Sequence, residues 1–186
     1  MKEIIFILDY NTFKKNLLET ALQYSPFADK IWLRIKNIDA NEIFYYAKNL
    51  RTFLPDKYLI LSERVDIASM LKFNAVHLNK DCHELVVLKK KFKWLDFGYS
   101  AHSTNEILSM ECFDYFTLSP LFETKKDFKV KPIGAVDVSW INKNIYALGG
   151  INPDNIDEIK NKGYSGIAGI SLYKTIKELK NLLNHP

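Results

Sequence analysis

Eight short apolar runs recur along this chain, separated for the most part by stretches of helical periodicity, and that alternation constrains its fold more than any other feature. The runs lie at residues 3–8, 31–35, 58–61, 75–78, 94–99, 115–118, 144–148 and 166–170. Most are continuously apolar rather than alternating, which marks strands buried on both faces, as in a parallel sheet. Between them, Phe13, Leu17, Leu18, Ala21 and Leu22 share one helical face, as do Ile43, Phe44, Ala47 and Leu50, and later Ile67, Ala68 and Leu71. Asp39 with Glu42, and Ser103 with Glu106, have the spacing of a capping box. With no composition break or linker, eight such units predict an α/β chain forming a single small TIM (β/α)8 barrel domain over residues 1–186. The fold typically takes about 250 residues, so most connections here must be short. Residues 119–134 are the exception, a polar connection without periodicity, and loops of that kind are usually functional or mobile. A doubly wound open sheet is the runner-up, weakened because no dinucleotide-type glycine fingerprint follows the first strand.

The richest local signal is residues 144–171. An apolar run ends in Gly149-Gly150, and a helix is predicted after it, with Asn152 as cap, Pro153 in its first turn and Gly163 at its end. A second run ends at Gly169-Ile170-Ser171, where Ser171 is placed to cap a helix over the amphipathic residues 172–183. Glycines let backbone approach a ligand closely, and N–H groups at a helix start attract an anion. In a (β/α)8 barrel the loops after strands seven and eight commonly hold a phosphate. Gly149, Gly150, Gly169, Ile170 and Ser171 are therefore the expected phosphate-binding residues, the plain alternative being two ordinary turns.

Composition removes several function classes. Hydrophobic residues make up 47% and charged residues 26%, as in an ordinary globular protein, and the net charge is +4. Lysines cluster at residues 89–93 and 125–131, but no long basic run interleaved with aromatics suggests a nucleic-acid face, and solvated surface is the reading. A basic site for a small phosphorylated ligand stays open. No apolar run reaches membrane length and no signal-peptide pattern precedes the first strand, so a cytoplasmic protein with no membrane partner is expected. Cys82 and Cys112 lack metal-ligand or CxxC spacing, which argues against zinc or a disulfide.

Single residues carry the chemistry. Arg34 and Lys36 project from one face of the second strand, the interior face of a barrel, where two unpaired cations would be costly and an anionic ligand would offset the cost. His102 falls just past the fifth strand, at the barrel mouth, where a histidine can take and return a proton near neutral pH. His77, inside the fourth strand, reads as a core histidine. Thr124 and Lys125, on the long loop, are placed to close over a phosphate.

Seven motifs stand in order at predicted strand ends: Trp32-Leu-Arg34-Ile-Lys36, Ser62-Glu63-Arg64-Val65-Asp66, Val76-His77-Leu78, Gly98-Tyr-Ser100-Ala-His102-Ser103, Phe122-Glu123-Thr124-Lys125, Ala147-Leu-Gly149-Gly150-Ile-Asn-Pro and Gly166-Ile-Ala-Gly169-Ile170-Ser171. Over almost the whole chain this series resembles the thiamin phosphate synthase and TenI family of phosphate-binding barrels. The resemblance implies substrate-binding roles for Arg34, Lys36, Ser62, Ser100, Thr124 and Lys125. It implies a catalytic role for His102 and a phosphate cradle in the last two motifs.

Synthases of the family hold magnesium and a pyrimidine diphosphate with two Asp residues. Here the first is Glu63, and the second aligns at Cys82, with Asp81 one residue early. A thiolate is a poor ligand for a hard cation. The family Gln that contacts the pyrimidine is Trp32, and the Asn of Asn-Asp-Arg is Ser62. These departures resemble the TenI branch, so the expected function is a thiazole tautomerase that aromatises carboxythiazole phosphate. The alternatives are a thiamin phosphate synthase joining hydroxymethylpyrimidine diphosphate to thiazole phosphate, and a non-catalytic phosphate-ligand-binding protein. Magnesium, held by Glu63 and Asp81, is expected only of a synthase, and no cofactor of a tautomerase. The implied partners are small phosphorylated molecules, and a homo-oligomer stays open.

Overall fold

The computed structural model describes residues 1–79, 84–124 and 131–184. Eight parallel strands close on themselves in sequence order: β1 (Glu3–Asp9), β2 (Lys30–Arg34), β3 (Tyr58–Ser62), β4 (Ala75–Leu78), β5 (Asp96–Ala101), β6 (Tyr115–Leu118), β7 (Asn144–Leu148) and β8 (Gly166–Gly169). Ladders such as Phe6↔Ile31 on one side of β1 and Ile5↔Ala168 on the other complete the ring. The helices are α1 (Tyr10–Phe13), α2 (Leu17–Tyr24), α3 (Ala40–Phe53), α4 (Val65–Met70), α5 (Leu85–Lys91), α6 (Thr104–Ser109) and α7 (Ile176–Asn184). Among the described residues no helix is long and apolar enough to cross a membrane.

The continuous apolar runs are explained by burial on both faces of each strand. Alternate residues Ile5, Ile7, Trp32, Ile60, Ala75, Tyr115, Tyr146 and Ala168 fill the barrel interior as one cluster. Their neighbours, including Phe6, Leu33, Leu61, Val76, Phe97 and Phe116, face outward into a larger cluster under the helices. At the N-terminal end, Lys30 lies between the rings of Tyr58 and Tyr146, 4.8 and 5.0 Å from their centroids, and pairs with Glu3 at 2.9 Å. That arrangement satisfies the charge of Lys30 at the floor of the barrel.

The chain economises on helices to stay within 186 residues. The helix expected between Gly150 and Gly163 is absent: the segment holds only turns and a 3-10 stretch, Ile156–Glu158. Asn152 accepts a hydrogen bond from the Asp154 N–H, and the Asn152 and Asn155 amides both donate to the Gly150 carbonyl, so polar side chains fix a loop there. The amphipathic C-terminal segment begins as a 3-10 turn, Ser171–Lys174, and becomes α-helical at Ile176. Ser171 therefore does not cap an α-helix as its sequence position predicts. The capping boxes also form in altered ways. Asp39 caps α3 by accepting from Asn41 and Glu42 N–H groups, while the Glu42 carboxylate accepts from Tyr10 OH at 2.6 Å.

Candidate functional site

The C-terminal ends of the strands gather the polar residues that the interior otherwise excludes. Arg34, at the end of β2, is not an unpaired cation as its sequence setting predicts. It is ion-paired with Asp9 at the end of β1, which also accepts from the Thr12 N–H and hydroxyl. Register Asp9↔Arg34 puts the two side by side, so the buried carboxylate and the guanidinium satisfy each other. Lys36 lies two residues beyond β2, exposed, with no ion pair among the described residues.

His77 lies at the barrel axis, 5% exposed, with both ring nitrogens engaged: Nδ1 with Tyr115 OH at 3.2 Å and Nε2 with Ser100 Oγ at 2.8 Å. Burial, reinforced by the charges of Arg34 and Lys36, lowers its pKa to about 3, so the ring is neutral. Trp32 stacks on it at 3.9 Å between centroids and donates its indole N–H to Ser62 Oγ at 2.9 Å. The indole is 5% exposed and belongs to the cluster that fills the barrel interior. Cavities open elsewhere: one of about 300 Å³ sits at the floor beside Lys30, Tyr58 and Tyr146, and a broader groove lies beside Lys89, Lys90 and Lys93. Tyr115, whose hydroxyl meets His77, also lines the floor cavity, and neither opening contains a site residue expected from the sequence.

His102 is exposed just past β5. Its backbone N–H donates to Glu106 at 2.7 Å, and Ser103 caps α6 through the Glu106 N–H. Its Nδ1 lies 2.7 Å from the Ser119 carbonyl oxygen. A carbonyl only accepts, so Nδ1 carries the proton and Nε2 of the neutral ring keeps its lone pair. Ring and backbone are thus held from two sides, the arrangement expected of an oriented base.

Beyond β7, Gly149 and Gly150 have φ of +98° and +71°. Cβ atoms on these glycines would meet Pro120 at 2.9 Å and the Glu123 carbonyl oxygen at 2.4 Å. The glycine pair thus exists partly so that residues 120–123 can pack against it. The N–H groups of Gly149, Gly150, Ile170 and Ser171 donate to no acceptor among the described residues. Gly169 is buried in β8, with a Cβ position 3.0 Å from Leu172, so packing accounts for it. Thr124 lies on the same loop as Glu123, half-buried. Glu63 is exposed with φ of +62°, its N–H donating to the His77 carbonyl. Asp81, Cys82 and Lys125 lie outside the described residues.

Three residues of this face escaped the sequence reading. Asp9 ends the first apolar run, and its polarity there was the available signal. Thr117 and Tyr115 sit two apart in β6, so both face inward; a lone threonine in an apolar strand gives no hint of that partnership.

The thiamine monophosphate synthase family model matches residues 4–172. The chain belongs to that family. A thiamine-phosphate synthase of Clostridium tetani is 32% identical over 151 residues, covering 76% of this chain and 72% of that protein. One from Pyrococcus horikoshii is 28% identical over 185 residues, covering 95% and 89%. Among solved structures, thiamine phosphate pyrophosphorylase from Pyrococcus furiosus superposes with a TM-score of 0.84 at 26% identity, covering 98% of this chain and 95% of that one. A family enzyme of thiamine biosynthesis is thus established for the chain, and the TenI branch is not singled out.

Proposed function

We propose that this enzyme is a thiamine-phosphate synthase, joining a pyrimidine diphosphate to thiazole phosphate. The observation that carries the reading is the likeness to proteins named as that synthase over nearly the whole barrel. In the coupling, the bond from the pyrimidine's methylene carbon to the diphosphate oxygen breaks, the thiazole ring nitrogen bonds to that carbon, and diphosphate leaves with its electron pair. The four N–H groups after β7 and β8 that have no acceptor among the described residues would hold the thiazole phosphate. Lys36, with Arg34 behind it, would attract the diphosphate, and Ser62, Ser100, Thr124 and Lys125 would contact the substrates.

Magnesium is the ion the family implies, and it would neutralise the leaving diphosphate. Among the described residues no group of three or more His, Cys, Asp or Glu side chains could hold a metal ion, and Asp9 is committed to Arg34 and Thr12. The described side chains do not fit the ion by themselves, and the steps above run through the chain's own donors.

A second reading, thiazole tautomerase, is supported by one feature: His102, exposed just past β5, is held at Nδ1 by a carbonyl, so Nε2 of the neutral ring keeps its lone pair. There His102 would take a proton from ring carbon and deliver it elsewhere on the ring. One pair of assays separates the two. Incubation with both substrates and magnesium, read as thiamine phosphate formed, is expected to give product. If none forms while the non-aromatic thiazole carboxylate phosphate is aromatised, the tautomerase reading replaces the synthase. Neither turnover, with phosphate-ligand binding retained, leaves a binding protein.

A further inference from the structure

Registers His77↔Gly98 and Gly98↔Tyr115 put three interior positions in line across β4, β5 and β6. Gly98 has no side chain, and a Cβ there would fall 2.0 Å from the Tyr115 ring. That gap lets the Tyr115 ring reach across β5 and bring its hydroxyl under His77. One step nearer the mouth, register Ser100↔Thr117 pairs two hydroxyls at 3.0 Å.

The proton positions in this cluster follow from counting acceptors. Tyr115 is buried, with its ionisation pushed far up by that burial, so it keeps its proton. Its only hydrogen-bond partner among the described residues is His77 Nδ1, so the phenol donates to Nδ1. The neutral imidazole then carries its proton on Nε2 and donates it to Ser100 Oγ. Thr117 is fully buried, and its hydroxyl has Ser100 Oγ as its one partner among the described residues, so it donates there as well. Ser100 Oγ receives two hydrogen bonds, and its own proton is left for the mouth. The reverse tautomer would leave the Tyr115 proton without an acceptor among the described residues.

We infer that His77, locked in one tautomer by Tyr115 across the gap at Gly98, is a positioning residue that forces Ser100 to present its hydroxyl proton to the bound ligand. Ser100 is therefore a donor that selects an acceptor on the ligand edge above it: a ring nitrogen, or a carbonyl or carboxylate oxygen. A ligand offering an N–H or O–H at that point is disfavoured. This deepens, and rests on, the reading of the C-terminal face as the substrate site.

The test has two arms. In the first, the ligand-free protein is labelled with ¹⁵N-histidine, and the His77 signals are assigned by their loss in His77→Gln. The expected spectrum has Nε2 protonated and Nδ1 unprotonated across neutral pH. In Tyr115→Phe that preference is expected to relax to a mixture. Protonation at Nδ1 in the wild type, or an unchanged tautomer in Tyr115→Phe, overturns the inference. In the second arm, thiazole phosphate affinity is measured for Ser100→Ala, Tyr115→Phe and the double variant. Loss of one neutral hydrogen bond is expected to weaken Ser100→Ala by about three- to tenfold. Tyr115→Phe should lose part of that, and the double variant no more than Ser100→Ala alone. Fully additive losses overturn the coupling. If thiazole phosphate fails to bind the wild type at all, the substrate reading falls, while the first arm still decides the tautomer.

Discussion

At the residue scale, His102 and His77 show how environment divides one side-chain type into two roles. His102 is exposed and held at Nδ1 by a carbonyl, and its Nε2 has no hydrogen-bond partner among the described residues. His102→Gln is therefore expected to cost about 10²–10⁴-fold in aromatisation of the non-aromatic thiazole tautomer if that reaction occurs. The same change should leave the synthase coupling and thiazole phosphate affinity almost untouched, and the comparison is made by parallel rate and binding measurements. His77 is neutral in the folded state because its pKa is lowered to about 3. In the unfolded chain a histidine titrates near 6.5. Between those values the unfolded state binds a proton that the folded state does not, so stability falls as pH falls through this window and is unaffected above it. One such group contributes a slope of about 1.4 kcal/mol per pH unit below pH 6.5. Urea melts at pH 7.5, 6 and 5 should show that slope reduced by one proton in His77→Gln.

At the element scale, the β6–β7 connection and the glycine pair after β7 act as one unit. Leu121 and Phe122 N–H groups donate to the Leu148 and Gly149 carbonyls, which ties the loop to the strand end. Gly150 stands at φ +71° with its Cβ position against the Glu123 backbone, so any side chain both strains its own backbone and displaces the loop. Gly150→Val is expected to cost about 1–3 kcal/mol of stability from the backbone conformation alone. The barrel should stay folded by circular dichroism, because its core clusters are not touched. Affinity for thiazole phosphate should drop at least tenfold, since Thr124 and the N–H groups of Gly149 and Gly150 would move. A folded Gly150→Val protein with unchanged affinity would show that this turn holds no phosphate.

At the scale of the whole molecule, the closed ring means that every strand has two neighbours and no edge is left to fray. A ligand bridging the ends of β2, β5, β7 and β8 touches the ring at several points and binds the folded state alone. At one hundred times its dissociation constant, such a ligand stabilises by about 2.7 kcal/mol. For a chain of this size that corresponds to a rise in Tm of about 5–10 °C. Differential scanning calorimetry with and without thiazole phosphate checks it, and no shift at saturating ligand would remove the substrate assignment.

The sequence alone determined the order and number of the strands. A run such as Tyr58–Leu61 must be buried on both faces wherever it sits, and eight such runs with short connections admit few closures. The polar residues at strand ends were legible for the same reason, since Arg34, Ser62 and Ser100 interrupt or end apolar runs. Only the tertiary structure decided their partners. Arg34 meets Asp9, Tyr115 meets His77, and Trp32 stacks on His77 because the stagger between strands sets them level, and no spacing along the chain encodes that stagger. The helix predicted after Gly150 shrank to turns and a 3-10 stretch, and the one predicted from Ser171 begins as a 3-10 turn and becomes α-helical at Ile176, for a related reason. Helical periodicity reports which residues can share a face, while Asn152 and Asn155, bonded to the Gly150 carbonyl, fixed the chain as a loop.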